Sequence, residues 1–286
     1  LKGPDVTTIA ITGAAGTIGA PLARDLVAHG FSVVRIDRTA GPETDLVLDV
    51  QDLEALTAAV RGCETIVHLA GIPDVTSSWA DVAGPGIAGT YNAYEAARRA
   101  GCTRVIFASS NHAVGMYEVD NLPGIYEPAS GTLVGVGAEL RPDSMYGVWK
   151  VFGEATGRYY SDAHGLQVTC VRIGSITKAD DPRHPSVAQS SGWLPLSEPE
   201  KFRRYAATWM SQADFCRLTR AILAKNVRFS IVYGVGDNAN RFWDLEPGRA
   251  TFGWWPLDGV RADGTVVRSG LPRRAIVSVD TEPPVR

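Results

Sequence analysis

Long apolar runs are missing from this chain of 286 residues. No stretch reaches the roughly 18 apolar residues that a membrane-spanning helix needs, which excludes a helical membrane span. Strong charge of either sign is missing too. The formal net charge is -3 and the sequence pI about 6.0, which argues against a general nucleic-acid binder, since that would need a basic face. Cysteine is scarce. The four residues, Cys63, Cys102, Cys170 and Cys216, lie far apart without a C-x-x-C pair. They read as reduced thiols rather than a disulfide frame or a zinc site. The 5 histidines are scattered without metal-ligand spacing, so no metal is expected. The opening residues Leu1 to Asp5 show no signal-peptide pattern, and a cytoplasmic location is expected. What is present is ordinary globular material: 45% hydrophobic and 21% charged residues, enough for one large or two small domains and too apolar for a disordered chain.

Strand and helix patterns alternate. Val6 to Thr12 is a β-branched run, followed by a glycine-rich turn and a helical stretch from Thr17 to His29. Phe31 to Asp37, Leu46 to Val50, Glu64 to Leu69, Arg104 to Ser109 and Leu166 to Ile173 read as further strands. Asp52 to Arg61, Thr90 to Ala100 and Ser144 to His164 read as helices, each closed by glycine. Short apolar strands spaced by helices predict an α/β fold, a Rossmann-like doubly wound parallel sheet. Residues 1–173 are expected to form the dinucleotide-binding domain. Residues 174–260 are expected to be mostly a small substrate-binding lobe with return elements to the sheet, and 261–286 a polar C-terminal extension on the surface. Two stretches break the rhythm: Met116 to Asp143, rich in Gly and Pro, and Thr177 to Arg204, with four prolines and little periodicity. Both follow strands on the carboxyl side, where α/β ligands bind.

The first chemical motif is Gly13-Ala14-Ala15-Gly16-Thr17-Ile18-Gly19. A G-x-x-G-x-x-G turn between strand and helix leaves no side chain where backbone meets pyrophosphate, and it offers helix-terminal N–H groups to the anion. Alone the spacing is common, and a tight β-α turn without ligand would look the same. Its place after the first strand and before a helix favours dinucleotide binding. Asp37 ends the second strand 18 residues after Gly19. A carboxylate there accepts from ribose hydroxyls and favours NAD over the 2′-phosphate of NADP, although the adjacent Arg38 blurs that preference. Asp49 and Val50 end the third strand and Leu69, Ala70 and Gly71 the fourth, where they would line the adenine and ribose side or simply cap strands.

The second motif is Tyr146-Gly147-Val148-Trp149-Lys150. Residues i and i+4 share a helix face, so phenol and ammonium point the same way. A free phenol titrates near pH 10 and is a poor base, and a nearby cation favours its phenolate. The pair could be incidental. The order of features argues otherwise: nucleotide turn, acidic strand end, Ser109-Ser110 closing the fifth strand, then Tyr-x-x-x-Lys opening a helix.

With these motifs the chain resembles the extended short-chain dehydrogenase/reductase family, also called the NAD-dependent epimerase/dehydratase family, over about residues 6–258. TGAAGTIG, HLAG, FASSN, YGVWK and VRIGS occur in the expected order. The resemblance implies NAD as cofactor and Ser110, Tyr146 and Lys150 as the catalytic triad. Tyr146 would be the base, Lys150 would lower its pKa and hold the nicotinamide ribose, and Ser110 would bond the reacting oxygen. It also implies a homo-oligomer, with Thr90 to Ala100 and Ser144 to His164 as candidate interface helices. Ser109 to Gly115 (SSNHAVG), Val171 to Ser175 and Arg204 to Ser211 are similar to the uronate dehydrogenases, which oxidise the C1 hydroxyl of glucuronate or galacturonate to an aldarolactone. In that subgroup the Arg204 position grips the sugar carboxylate, a planar anion that suits a guanidinium fork. Asn111 and His112 would reach sugar hydroxyls, with Ser175 beside them.

There are departures. The family's N-x-x-G-T pattern has Gly86 in place of Asn, and Pro73 stands where uronate dehydrogenases often carry Ser. NAD-dependent glucose-6-phosphate dehydrogenases of the family share the SSNHAVG stretch, with a phosphate in place of the carboxylate. A nucleotide-sugar epimerase or dehydratase would reuse the same triad. A non-catalytic dinucleotide sensor would keep the fold, usually without the Tyr-x-x-x-Lys pair. The leading expectation is a sugar C1 dehydrogenase acting on a uronate, with no nucleic-acid or membrane partner.

Overall fold

The computed structural model describes residues 7–127, 130–186 and 193–269. Seven strands form one sheet: β1 (Thr8–Thr12), β2 (Ser32–Asp37), β3 (Leu46–Val47), β4 (Thr65–His68), β5 (Arg104–Ser110), β6 (Gln167–Ile173) and β7 (Phe229–Gly234). Their order is β3-β2-β1-β4-β5-β6-β7, and every pairing in this sheet is parallel. The chain winds outward from β1 to β3, then returns to β4 and winds the other way. The carboxyl ends of β1 and β4 therefore flank the switch point where such sheets bind ligands. The strands in the middle are buried on both faces, β5 along its whole length, which is why they read as unbroken apolar runs. β3 is shorter than the expected Leu46 to Val50. It lies at the sheet edge with both residues exposed, and only two residues find a partner there.

The helices begin and end where local chemistry requires. α1 (Gly19–Ala28) buries Leu22, Ala23 and Leu26. α2 (Leu53–Ala59) is capped by Asp52, whose side chain accepts from Ala55 N at 3.0 Å. A four-residue helix, α3 (Trp79–Val82), leads through a π-helical segment (Ala83–Ala88) into α4 (Gly89–Ala100). α5 (Met116–Val119) is a single turn. α6 (Met145–His164) is capped by Ser144 Oγ, which accepts from Gly147 N at 3.1 Å, and it ends on left-handed Gly165. The irregular stretch expected up to Arg204 is instead helical from Glu198: α7 (Glu198–Thr208) starts with a capping box between Ser197 and Glu200, with Pro199 in its first turn. Four prolines hide that S-x-x-E signal in the sequence. α8 (Gln212–Leu223) and α9 (Glu246–Phe252) complete the set.

One apolar cluster joins Ile9, Ile11 and Val67 of the sheet to Ala207, Met210 and Trp243. The segment after Ile173 thus packs onto the same face of the sheet that the first strands build. A second cluster, including Ala10, Ile66, Phe107 and Tyr94, fills the other face. The Gly- and Pro-rich stretch is pinned rather than loose: Val134 N donates to Phe242 O at 2.7 Å, and Ile125 and Tyr126 are buried. Beyond Gly259 a short antiparallel hairpin forms, β8 (Gly259–Val260) with β9 (Val266–Val267). The rest of the expected extension, 270–286, lies outside the described residues. All four cysteines are free and buried, and no helix among the described residues is long and apolar enough to cross a membrane.

Candidate active site

A cleft of about 1160 Å³ runs across the carboxyl ends of β1, β2, β4, β5 and β6. One end is the glycine turn. Gly13 has φ +72, and a Cβ there would lie 2.9 Å from Ala70 N. A Cβ on Gly19 would lie 2.2 Å from the Gly13 carbonyl oxygen. Only glycine lets strand, turn and helix close this tightly. The N-terminus of α1 has Ile18 at its cap and no side-chain hydrogen bond; Ala20 N donates to Gly16 O at 3.2 Å and Pro21 has no N–H, so the N–H groups before them are the ones an anion would meet. Gly13, Gly16, Thr17, Ile18 and Gly19 line this end, joined by Asp37, Arg38, Asp49, Val50, Leu69, Ala70 and Gly71. Ala15 does not line it. Its N–H instead donates to Asp37 Oδ2 at 3.0 Å, while Thr39 N donates to Oδ1 at 3.0 Å. These bonds fix the carboxylate and leave each oxygen a lone pair for a ribose hydroxyl. The donor set and the bare glycine turn fit a dinucleotide.

The other end holds Ser110, Tyr146 and Lys150. β5 delivers Ser110 and α6 delivers the pair one turn apart. Lys150 is buried; its Nζ donates to Ala108 O at 2.7 Å and lies 5.1 Å from the Tyr146 ring centroid. The expected lowering of the phenol pKa by Lys150 is not what the protein shows. Burial lifts Tyr146 to about 12, the Ser110 side chain pulls it back, and the Asp143 carboxylate adds to the rise. Lys150 is itself driven down to about 7 by burial. Desolvation dominates in both groups, because each charged form leaves water.

Trp149 was not singled out by the sequence and proves central. Its indole Nε1 donates to Thr90 Oγ1 at 2.7 Å, and its ring lies 3.5 Å under Lys150 Nζ. A Cβ on Gly86 would come within 3.0 Å of this indole and one on Gly71 within 2.0 Å. Gly86, the departure from Asn, is thus the space that Trp149 occupies. Thr90 also faces His68 Nε2 at 3.4 Å, and His68 Nδ1 lies 2.8 Å from Thr12 Oγ1. Burial, and then the Lys150 charge, push His68 down to about 3. In the fold His68 stays neutral where the unfolded chain would bind a proton, so stability is lost as pH falls from about 6.5 toward 3. Relative to His68→Gln, the unmodified protein is expected to lose on the order of 4 kcal/mol more across that window. Denaturant unfolding at stepped pH checks this; parallel pH profiles for the two proteins would contradict it.

Toward the sugar end, aromatic rings mark a path from the phenol. The His112 ring is 5.7 Å from Tyr146 and 5.7 Å from Trp193, and the Arg204 guanidinium is 5.8 Å from Trp193. Asn111, His112, Ser175 and Arg204 all line the cleft, as expected. All four already have a side-chain partner, and Asn111 Oδ1 accepts from Ser110 Oγ at 3.1 Å. Ser175 Oγ shares a hydrogen bond with Thr208 Oγ1 at 2.8 Å. Arg204, expected to meet a substrate carboxylate, lays Nε 2.7 Å and Nη2 3.3 Å from the two oxygens of Glu118. His112 Nδ1 is held at 2.7 Å by Asp143 Oδ2, which aims the other ring nitrogen away from Asp143. Trp193, Asp143 and Glu118 escaped the sequence reading because none belongs to a spaced motif. The P-D-S before Tyr146, a helix-capping signal, was the one available hint for Asp143. Among the described residues, no group of three or more His, Cys, Asp or Glu is placed to hold a metal ion.

A glycine turn, a carboxylate at the next strand end and a Ser–Tyr–Lys set on one Rossmann sheet go with the relatives below, and the protein is an NAD-dependent oxidoreductase that acts on a CH–OH carbon. Residues 9–185 match the NAD dependent epimerase/dehydratase family, and the chain belongs to it. Its relatives include the L-arabinose 1-dehydrogenase (NAD(P)(+)) of Haloferax volcanii, 37% identical over 87% of this chain and 96% of that protein. The NAD-dependent glucose-6-phosphate dehydrogenase of the same organism is 33% identical over 87% and 93%. A solved structure of a uronate dehydrogenase variant from Agrobacterium tumefaciens in complex with NAD superposes with a TM-score of 0.71 at 31% identity, covering 90% of this chain and 86% of that one. Likeness to uronate dehydrogenases is therefore found in the fold as well as in the motifs.

Proposed function

We propose that this protein is an NAD-dependent sugar dehydrogenase that oxidises the C1 hydroxyl of an aldose or aldose acid to its lactone. The observation that carries the reading is the row from Tyr146 through His112 and Trp193 to Arg204, which continues the dinucleotide cleft into a polar, aromatic-lined end. Bound NAD supplies the acceptor for the C1 hydride. Tyr146 Oη takes the hydroxyl proton as the C1–O double bond forms, and Ser110 Oγ holds that oxygen. Lys150, anchored on Ala108 O, offers a donor for the nicotinamide ribose and, in its protonated form, positive charge beside the phenol. Asn111 and His112 position sugar hydroxyls, and Asp143 fixes the His112 ring. Uronate, arabinose and glucose 6-phosphate, named in the relatives, share this C1 chemistry and differ at the far end of the sugar. The uronate reading rests on Arg204.

Homo-oligomerisation belongs to the same proposal: α4 and α6 expose Tyr91, Val148 and Tyr159, and the mass in solution tests it. The reaction is tested by NADH formation from neutral aldoses, uronates and glucose 6-phosphate, with UDP-glucose as the control for the epimerase class. No NADH from any sugar, with NAD binding intact, would refute it. Asp37→Ala is expected to narrow the NAD-to-NADP ratio of kcat/KM by roughly tenfold or more, since it removes a carboxylate that repels a 2′-phosphate. An unmodified protein that prefers NADP would remove this role from Asp37.

A further inference from the structure

Arg204 is the buried guanidinium at the sugar end of the cleft, and its charge already has a partner. Glu118 sits behind it on α5, with side-chain exposures of 4% for Arg204 and 1% for Glu118. Two N–H···O contacts, at 2.7 and 3.3 Å, join the guanidinium to the two carboxylate oxygens. The Tyr126 hydroxyl donates to Glu118 Oε1 at 2.7 Å, so the carboxylate is held from two sides. A pair this dry and this well bonded behaves as a neutral unit. Among the described residues, the other cations that line the cleft serve elsewhere. Lys150 belongs to the phenol, Arg38 to the adenosine end, and Lys178 is exposed on the rim. The sugar end also carries neutral donors in want of acceptors. Asn111 Nδ2 and Trp193 Nε1 are buried, line the cleft and have no hydrogen-bond partner among the described residues. A buried donor left unpaired is costly, and a sugar hydroxyl or ring oxygen would satisfy it.

We infer that Glu118 is the specificity-determining residue of this site: by neutralising Arg204 it sets the cleft for an uncharged aldose and against sugars bearing a carboxylate or phosphate. The inference rests on the dehydrogenase reading above and names its substrate class. A uronate carboxylate brought to Arg204 would share one guanidinium with Glu118 and leave a net negative charge in a desolvated place. An uncharged sugar meets no such penalty, and its hydroxyls find Asn111, Trp193 and His112.

The test compares matched pairs: glucose with glucuronate and glucose 6-phosphate, and galactose with galacturonate. Each pair differs only at C6. The unmodified protein is expected to favour the neutral member by more than about tenfold in kcat/KM. Glu118→Gln keeps the shape and removes the charge. It is expected to raise kcat/KM for the anionic members by roughly tenfold or more, through KM, with little gain for the neutral ones. Glu118→Asp, which keeps the charge, should retain the neutral preference. A merely structural Glu118 would lower both classes together. Preference of the unmodified protein for the uronate or phosphate overturns the inference, as does an unchanged ratio in Glu118→Gln. Should that variant not fold, Tyr146→Phe loaded with NAD is titrated with each pair, and equal or tighter uronate binding overturns it likewise. Absence of NADH from every sugar is a different result: it removes the dehydrogenase reading itself.

Discussion

Replacing Tyr146 by Phe is expected to lower kcat by roughly 10²–10⁴, the usual worth of a positioned acid–base group. The substitution keeps the ring that packs edge-on to His112 and Trp149 and deletes only the oxygen that takes the proton. NAD affinity should change little, because the phenol does not hold the dinucleotide. The residual rate should also lose the part of its pH dependence that comes from the phenol, while any contribution from Lys150, near 7, remains. Burial holds Tyr146 near 12, so the phenolate is a minor species at neutral pH, and the rate of the unmodified protein should climb as pH rises. Steady-state kinetics across pH check both points. Retention of most activity, or an unchanged pH profile, would show that Tyr146 is not the base.

Glu154→Ala is expected to cost about 3–5 kcal/mol of folding stability, the range for breaking one side of a buried ion pair. Glu154 lies on α6 one turn beyond Lys150, 3% exposed. Its two oxygens accept from Arg172 Nε and Nη2 at 2.9 Å each, and Oε1 also accepts from Ser109 Oγ at 2.6 Å. Removing the carboxylate leaves the Arg172 charge buried at 1% exposure and frees Ser109, the neighbour of Ser110. Combining it with Arg172→Met should recover much of the loss, because the stranded charge disappears with its partner. Denaturant midpoints at constant slope measure this. A loss below about 1 kcal/mol for Glu154→Ala would mean that water or a rearranged neighbour takes over the carboxylate's role.

The periodic parts of this protein were legible because local rules decide them. Apolar runs of strand length, glycine stops after His29, Ala100 and His164, and the Gly13–Gly19 turn each state their structure within a few residues. α7 was missed because Pro195 and Pro199 mask a capping box whose apolar face, with Tyr205 and Ala207, shows only after the helix has begun. The neighbourhood of Tyr146 and Lys150 was legible because i to i+4 spacing on one helix sets them together whatever surrounds them.

The sequence by itself determined the α/β alternation, the dinucleotide turn with Asp37 at the next strand end, and the phenol–ammonium pair. These depend on contacts within one or two elements. Only the tertiary structure decided what those groups feel and whom they meet. Burial, which sums contributions from the whole cleft, raised the phenol against the expected sign and also lowered Lys150. Gly86 acquired its meaning from Trp149, more than 60 residues away along the chain. Glu118 reached Arg204 across 86 residues, and His112 reached Asp143 across 31. No spacing rule encodes such meetings, since it is the packing of loops over the sheet that brings the partners together.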